Sequence, residues 1–145
     1  SSSASIPFTL KAATEKCGIN KSISSFTIPL GATINMDGTA IMQGCATFFL
    51  ASLYGIDLGM SEILTIVVTA TIASIGTAGI PSAGIIMLTV IFTQIGIPLE
   101  GITLLLGVDR LLDMMRTSIN VSGDLCISCI VASSENRIDE TIYKS

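Results

Sequence analysis

The stretch from Asp109 to Asp124, DRLLDMMRTSINVSGD, limits what this chain can become more than any other. Wound as an α-helix at about 100° per residue, Asp109, Asp113, Arg116, Asn120 and Asp124 fall at roughly 0°, 40°, −20°, 20° and 60°. Four ionisable groups and a carboxamide thus share one narrow stripe, with Thr117 at its edge. Leu111, Leu112, Met114, Met115, Ile119, Val121 and Leu125 take the rest of the circumference. A soluble surface helix also has a polar face, but here the flanks are GITLLLGV upstream and LCISCIVA downstream. The stripe therefore sits inside an apolar segment. Ionisable groups at membrane depth are costly and mark a substrate or ion pathway.

Composition supports a membrane setting. Charged residues are 12% of the chain, about half the share of a globular domain, and the mean hydropathy is +0.77. No ionisable side chain occurs between Ile63 and Leu99, and a second uncharged run, Gly38 to Ile56, is just long enough to span a bilayer. An all-α integral membrane protein is expected. The net charge of −4, with no histidine, gives nucleic acid nothing to bind. Cys126 and Cys129 form a C-x-x-C on an apolar helix without a second pair, which reads as packing rather than zinc or redox chemistry. There is no signal peptide and no initiating methionine; the opening Ser1-Ser2-Ser3 reads as a cut within a longer protein.

In chain order, residues 1–17 form a helix behind three serines. These either cap the helix or turn hydroxyls and free N–H groups towards an anionic ligand. Lys11, Lys16 and Lys21 around the following linker favour the cytoplasmic side. Residues 22–56 read as a broken transmembrane helix: a first half closing at Pro29 and Gly31, an unwound Asn35–Thr39, and an apolar half from Ala40 to Tyr54. Freed carbonyls with Asn35 and Asp37 are hard oxygen ligands suited to an alkali cation; a surface turn is the alternative. Residues 61–99 read as a re-entrant hairpin. Its arms, Ile63–Ile75 and Ile85–Leu99, cover only about 20 Å each against a hydrocarbon core of roughly 30 Å. SIGTAGIPSAG forms its tip, and Pro81 and Ser82 start the second arm. Two tilted helices around a kink are the alternative. Residues 101–132 are the last transmembrane helix, and 134–145 a polar cytoplasmic tail without amphipathic pattern.

The serine tip, the break and the hairpin tip converge on one depth beside the charged stripe. Two helix N-termini and Arg116 suit a ligand with two carboxylates, because a guanidinium fork matches a carboxylate in shape and charge. Asp113 can hold an ammonium group; an internal Asp113–Arg116 ion pair is the alternative. Asp37 and Asp124 need compensation at membrane depth. No nucleophile–base pair, phosphate loop or metal cluster suggests an enzyme, and Asp109 and Asp124 stand roughly 22 Å apart along a helix, too far to act as a dyad.

SSSASIP, PLGATINMDGTA, ASIGTAGIPSAG and LLDMMRTSINVSGDL, in order across nearly the whole chain, resemble the C-terminal part of the dicarboxylate/amino acid:cation symporters, the glutamate transporter family. The resemblance implies residues 1–133 as the C-terminal part of an elevator-type transport domain, working in a homotrimer in the plasma membrane (a bacterial inner membrane) with a cytoplasmic C-terminus. It implies no cofactor and sodium as the co-transported ion. The fragment lacks the scaffold and the first arm of the first hairpin, so it should not transport alone. Carried over by motif, Asp113 binds the amino group of glutamate or aspartate and Arg116 its side-chain carboxylate. Thr39, Thr117, Asn120 and backbone at Ser2, Gly79 and Ile80 complete that site. One sodium takes carbonyls at Gly31, Asn35 and Asn120 with the Asp124 carboxylate. A second takes carbonyls near Thr33, Ser74, Ile75 and Thr77 under Met36, and a third Asn35 and Asp37. The resemblance implies that the acid at Asp124 favours sodium over protons, the acid at Asp113 disfavours plain dicarboxylates, and Arg116 disfavours neutral amino acids. Ser82 and Arg110 stand where family members carry smaller or uncharged residues, and the resemblance assigns them no effect. Competing readings are a proton-coupled glutamate carrier, a cystine or dicarboxylate symporter, and a non-transporting channel or assembly segment.

Overall fold

The computed structural model describes residues 1–77, 79 and 82–144; Ile80 and Pro81, expected at the hairpin tip, lie outside the described residues. Every regular element among the described residues is a helix, as the all-α expectation requires. Helix α1 (Ser2–Glu15) is capped by Ser1, whose Oγ accepts from the Ala4 N–H at 3.1 Å. Helix α2 (Lys21–Ile34) starts at Asn20, whose side chain accepts from the Ser22 N–H at 2.9 Å. It runs through Pro29 and Gly31 rather than closing there. Proline forfeits one hydrogen bond, and the burial of Ile28, Gly31 and Ala32 as α2 packs on α7 (Asp109–Ser134) offsets that loss.

The break after α2 is shorter than Asn35–Thr39. Only Asn35 (φ −107°, ψ 79°) and Met36 (φ −113°, ψ 48°) leave the helix. Asp37, Gly38 and Thr39 form the first turn of α3 (Asp37–Leu53), not a loop ahead of Ala40. A carboxylate in that turn complements the partial positive charge of a helix start. Helix α4 (Met60–Gly76) begins earlier than Ile63, with Glu62 in its first turn. Helix α5 (Ala83–Ile95) stops well before Leu99, at Gly96 in the left-handed region (φ 81°). The arms are therefore 17 and 13 residues long.

The segment 101–132 is not one helix. A 3-10 turn at Leu99–Gly101 leads into α6 (Ile102–Leu106), and α7 starts afresh at Asp109 after Val108 (φ −116°, ψ 0°). Restarting there places the buried Asp109 in the first turn of a helix, where the dipole stabilises a carboxylate. Among the described residues no helix is both long and apolar enough to cross a membrane by itself. At 1.5 Å per residue α4 and α5 reach about 25 and 20 Å.

Two apolar clusters flank α7. One joins Met42 and Leu50 of α3, Ile66 of α4, Leu88 and Phe92 of α5 and Leu105 of α6. The other joins Ala13, Ile19, Ile28 and Ala132. The tail, expected to lack pattern, docks on this second cluster. Ile138 packs against it and bridges to Ile19; the Asp139 N–H donates to Gly18 O at 2.8 Å and the Asn20 N–H to Arg137 O at 3.1 Å. A short α8 (Glu140–Tyr143) follows.

Candidate functional site

Helix α7 is inside out. Its buried positions are Asp109, Asp113, Arg116, Asn120, Asp124, Ser128 and Ala132, a polar row at helical spacing. Leu111, Met114, Met115 and Ile130 are each about two-thirds exposed. Apolar side chains left outward forgo burial in water, so this face of α7 suits apolar surroundings, while the polar row faces the neighbouring helices.

Arg116 Nη2 donates to Asp113 Oδ1 at 2.5 Å and lies 3.9 Å from Asp109 Oδ1. The internal ion pair weighed against a ligand-binding role is thus formed. The pairing is incomplete: Arg116 Nη1 and Asp109 Oδ1 are buried without a hydrogen-bond partner. Helix α5 meets the guanidinium at Gly84, the residue whose missing side chain makes room for Nη1. Gln43 Nε2 donates to Gly84 O at 3.3 Å and holds that turn on α3, while Gln43 Oε1 stays unpartnered.

Asn120 ties the broken helix to the stripe. Its Oδ1 accepts from the Gly38 N–H at 2.8 Å. Its Nδ2 lies 3.2 Å from Met36 Sδ, 3.4 Å from Ser2 Oγ and 3.4 Å from Thr39 Oγ1. The hairpin tip closes on α1: Gly79 O accepts from Ser1 Oγ at 2.6 Å and from the Ser3 N–H at 3.1 Å. Ser1 thus caps α1, and the Ser3 N–H is taken up by a carbonyl of this chain.

Ser1, Ser2, Met36, Thr39, Thr77, Gly79, Gly84, Asp113, Arg116, Thr117 and Asn120 line a narrow polar cleft with little free space. All the expected substrate residues except Ile80, which is outside the described residues, meet there. Among the expected cation residues, Asp124, Asn35 and Gly31 meet below it. Asn35 Nδ2 donates to Asp124 Oδ1 at 2.9 Å, and that carboxylate lies against the bare α-carbon of Gly31. Asp37 is exposed at the start of α3, its carboxylate facing Gly123 on α7. Neither Asp124 nor Asp37 has a basic partner among the described residues. Ser74 and Thr77 are buried at the end of α4, with the Thr77 hydroxyl donating to Ala73 O at 2.6 Å. Thr33 and Ile75 turn their side chains outward, so only their backbone can serve an ion.

Three participants escape the sequence reading of the site: Gln43, Asp109 as a partner of Arg116, and Ser82, whose hydroxyl donates to Asp109 Oδ2 at 2.5 Å. Gln43 carries a legible signal, a carboxamide one turn after Thr39 in an otherwise apolar helix. The Ser82–Asp109 contact joins residues 27 apart in sequence and leaves no periodic trace.

The sodium:dicarboxylate symporter family profile matches residues 1–134. Over 124 residues, 86% of this chain, the sequence is 49% identical to excitatory amino acid transporter 3 of Mus musculus and 48% identical to that of Homo sapiens. Excitatory amino acid transporter 1 of Rattus norvegicus is 48% identical over the same length. Those stretches make up 24%, 24% and 23% of the three relatives, so the chain spans about a quarter of the length of the curated relatives it matches.

Proposed function

The chain belongs to the sodium:dicarboxylate symporter family, and from that premise we propose that it is the ligand- and cation-binding part of a membrane symporter for glutamate or aspartate, coupled to sodium. The observation that carries this reading is the buried Asp113–Arg116 pair on the wall of a polar cleft, with one guanidinium nitrogen free. An acidic amino acid replaces this internal pair with two external ones: its ammonium takes Asp113 and its side-chain carboxylate takes Arg116. Because the charges are already buried and aligned, the ligand meets no fresh desolvation of the protein side, and a neutral amino acid would leave Arg116 uncompensated. Ser2, Thr39, Thr117, Asn120 and backbone at Gly79 and Ile80 complete the contacts in this reading.

Sodium enters the argument through Asp124 and Asp37. Two carboxylates without basic partners, beside the unwound Asn35–Met36, offer the hard oxygen ligands an alkali cation takes. The reading assigns Gly31, Asn35, Asn120 and Asp124 to one ion, backbone at Thr33, Ser74, Ile75 and Thr77 under Met36 to a second, and Asn35 with Asp37 to a third. It extends to re-entrant hairpins, an elevator movement, a homotrimer and a cytoplasmic C-terminus in a bacterial inner membrane. These belong to the whole protein, of which the chain is a part.

The test is uptake of radiolabelled L-aspartate and L-glutamate by the full-length protein in liposomes, under an inward sodium gradient and then under a proton gradient alone. Sodium-dependent uptake is expected. Uptake on protons alone overturns the cation assignment and leaves the substrate site standing; no uptake under either gradient overturns the substrate assignment.

A further inference from the structure

We propose that Ser82 is a positioning residue that latches the start of α5 onto Asp109 and thereby holds Arg116 in its ligand-binding pose; this rests on the acidic amino-acid reading of the cleft. Ser82 sits directly before α5 with φ 62°. That is the left-handed region, which glycine adopts freely and an L-side chain only at a cost. A serine directly before a helix ordinarily caps it, from an extended backbone. Ser82 makes no such cap. Its hydroxyl instead donates across to Asp109 Oδ2 at 2.5 Å.

Asp109 is where that bond matters. Its carboxylate is buried, and Oδ1 has no hydrogen-bond partner. The same Oδ1 lies 3.9 Å from Arg116 Nη2, which bonds Asp113 at 2.5 Å. Ser82 therefore holds one oxygen of a carboxylate whose other oxygen stands just outside hydrogen-bond range of the guanidinium. Gly84, two residues after Ser82, packs on Arg116 Nη1, and Gln43 pins the Gly84 carbonyl. The first turn of α5 is thus a wall of the arginine's site, and Ser82 fastens that wall to α7.

Two consequences follow. Lifting the start of α5 requires breaking the Ser82–Asp109 bond. Once it is broken, the Asp109 carboxylate is free to turn onto Arg116 and compete with the ligand's carboxylate for it. Loss of the hydroxyl should therefore weaken ligand binding and speed release while leaving the helices intact.

Ser82→Gly separates these effects from backbone strain, because glycine adopts the left-handed backbone freely and carries no side chain to bond Asp109. In the full-length protein in detergent, Ser82→Gly is expected to match or exceed the parent's thermal stability while releasing L-aspartate about tenfold faster, the scale of one lost hydrogen bond to a charged group. Ser82→Asn tolerates the same backbone and restores a donor, so it should return release to near the parent's rate. Unchanged release in Ser82→Gly overturns the proposal. A second measurement needs no ligand: spin labels at Ile86→Cys on α5 and Leu111→Cys on α7, both exposed sites, in a background with the native cysteines replaced. A longer-distance population in Ser82→Gly supports the latch, and a distribution identical to the parent's rejects it. If the parent binds no acidic amino acid, the reading of the cleft fails, and the label distances alone then decide the latch.

Discussion

Arg116 has one nitrogen on Asp113, another facing Gly84 without an acceptor, and Asp109 at the edge of its reach. A lysine there would keep the charge but not the planar fork, so it could not serve Asp113 and a ligand carboxylate together. Arg116→Lys is expected to lower the affinity for L-aspartate by about tenfold to a hundredfold, one to two charge-assisted hydrogen bonds, with sodium binding measured without substrate unchanged. Arg116→Cys should abolish acidic uptake and destabilise the fold by roughly 3–5 kcal/mol, because two buried aspartates lose their cation. At Asp124 the expected change is in the ion. Asp124→Asn keeps the shape beside Asn35 and Gly31 but removes the charge, and the sodium titration of uptake should shift upward by at least about tenfold; an identical titration rejects the role. The stripe that carries these residues was legible because helical spacing alone puts them on one face and the apolar flanks reverse the usual inside and outside. Ser82 and the pairing of Asp109 with Arg116 were not, because periodicity reports neighbours along a helix and says nothing of which hydroxyl arrives from another one.

At the scale of elements, the helix types and their order follow from composition and spacing, whereas the ends depend on tertiary placement. Pro29 is a sound stop signal that the packing of Ile28, Gly31 and Ala32 overrides. Asp37 reads as part of the unwound Asn35–Thr39, yet it starts α3, because a carboxylate suits a helix N-terminus as well as a break. The interruption between α6 and α7 has only Gly107 as a local signal, and that signal is weak. Gly107 itself has helical angles (φ −63°, ψ −27°), and an added β-carbon would meet nothing nearer than Leu104 O at 3.7 Å. If the break is set by the demands of Asp109 rather than by glycine's freedom, Gly107→Ala will not heal it. The substitution should instead stabilise the protein by about 0.4–1 kcal/mol through the unfolded chain, read as a small rise in Tm, with aspartate uptake unchanged. A loss of uptake would show that Gly107 acts as a hinge.

Across the whole molecule, the polar row of α7 runs between two separate apolar clusters, one on α3–α6 and one joining α1, α2, the end of α7 and the tail. Large apolar side chains such as Phe8, Phe26, Met60, Ile72 and Leu111 stay outside both. So much outward apolar surface argues for a covering of lipid or protein, which hydropathy already implied. The docked tail was not foreseen, since a polar run with one isoleucine in the right place has no period to detect. Its separation from the cleft makes a sharp prediction. Gly18 has φ 62°, and a β-carbon there would sit 2.5 Å from Asp139 O. Gly18→Ala should therefore break the Ile19–Ile138 bridge, at about 1–2 kcal/mol for the left-handed backbone alone. Hydrogen exchange should then quicken at the Asn20 and Asp139 amides, whose acceptors are Arg137 O and Gly18 O. The Gly38 amide, bonded to Asn120 Oδ1, should keep its protection, and aspartate affinity should stay within about twofold, because additivity holds for sites that share no partners. If the Gly38 amide loosens as well, the two clusters are mechanically joined through α7, and the tail then takes part in setting the cleft.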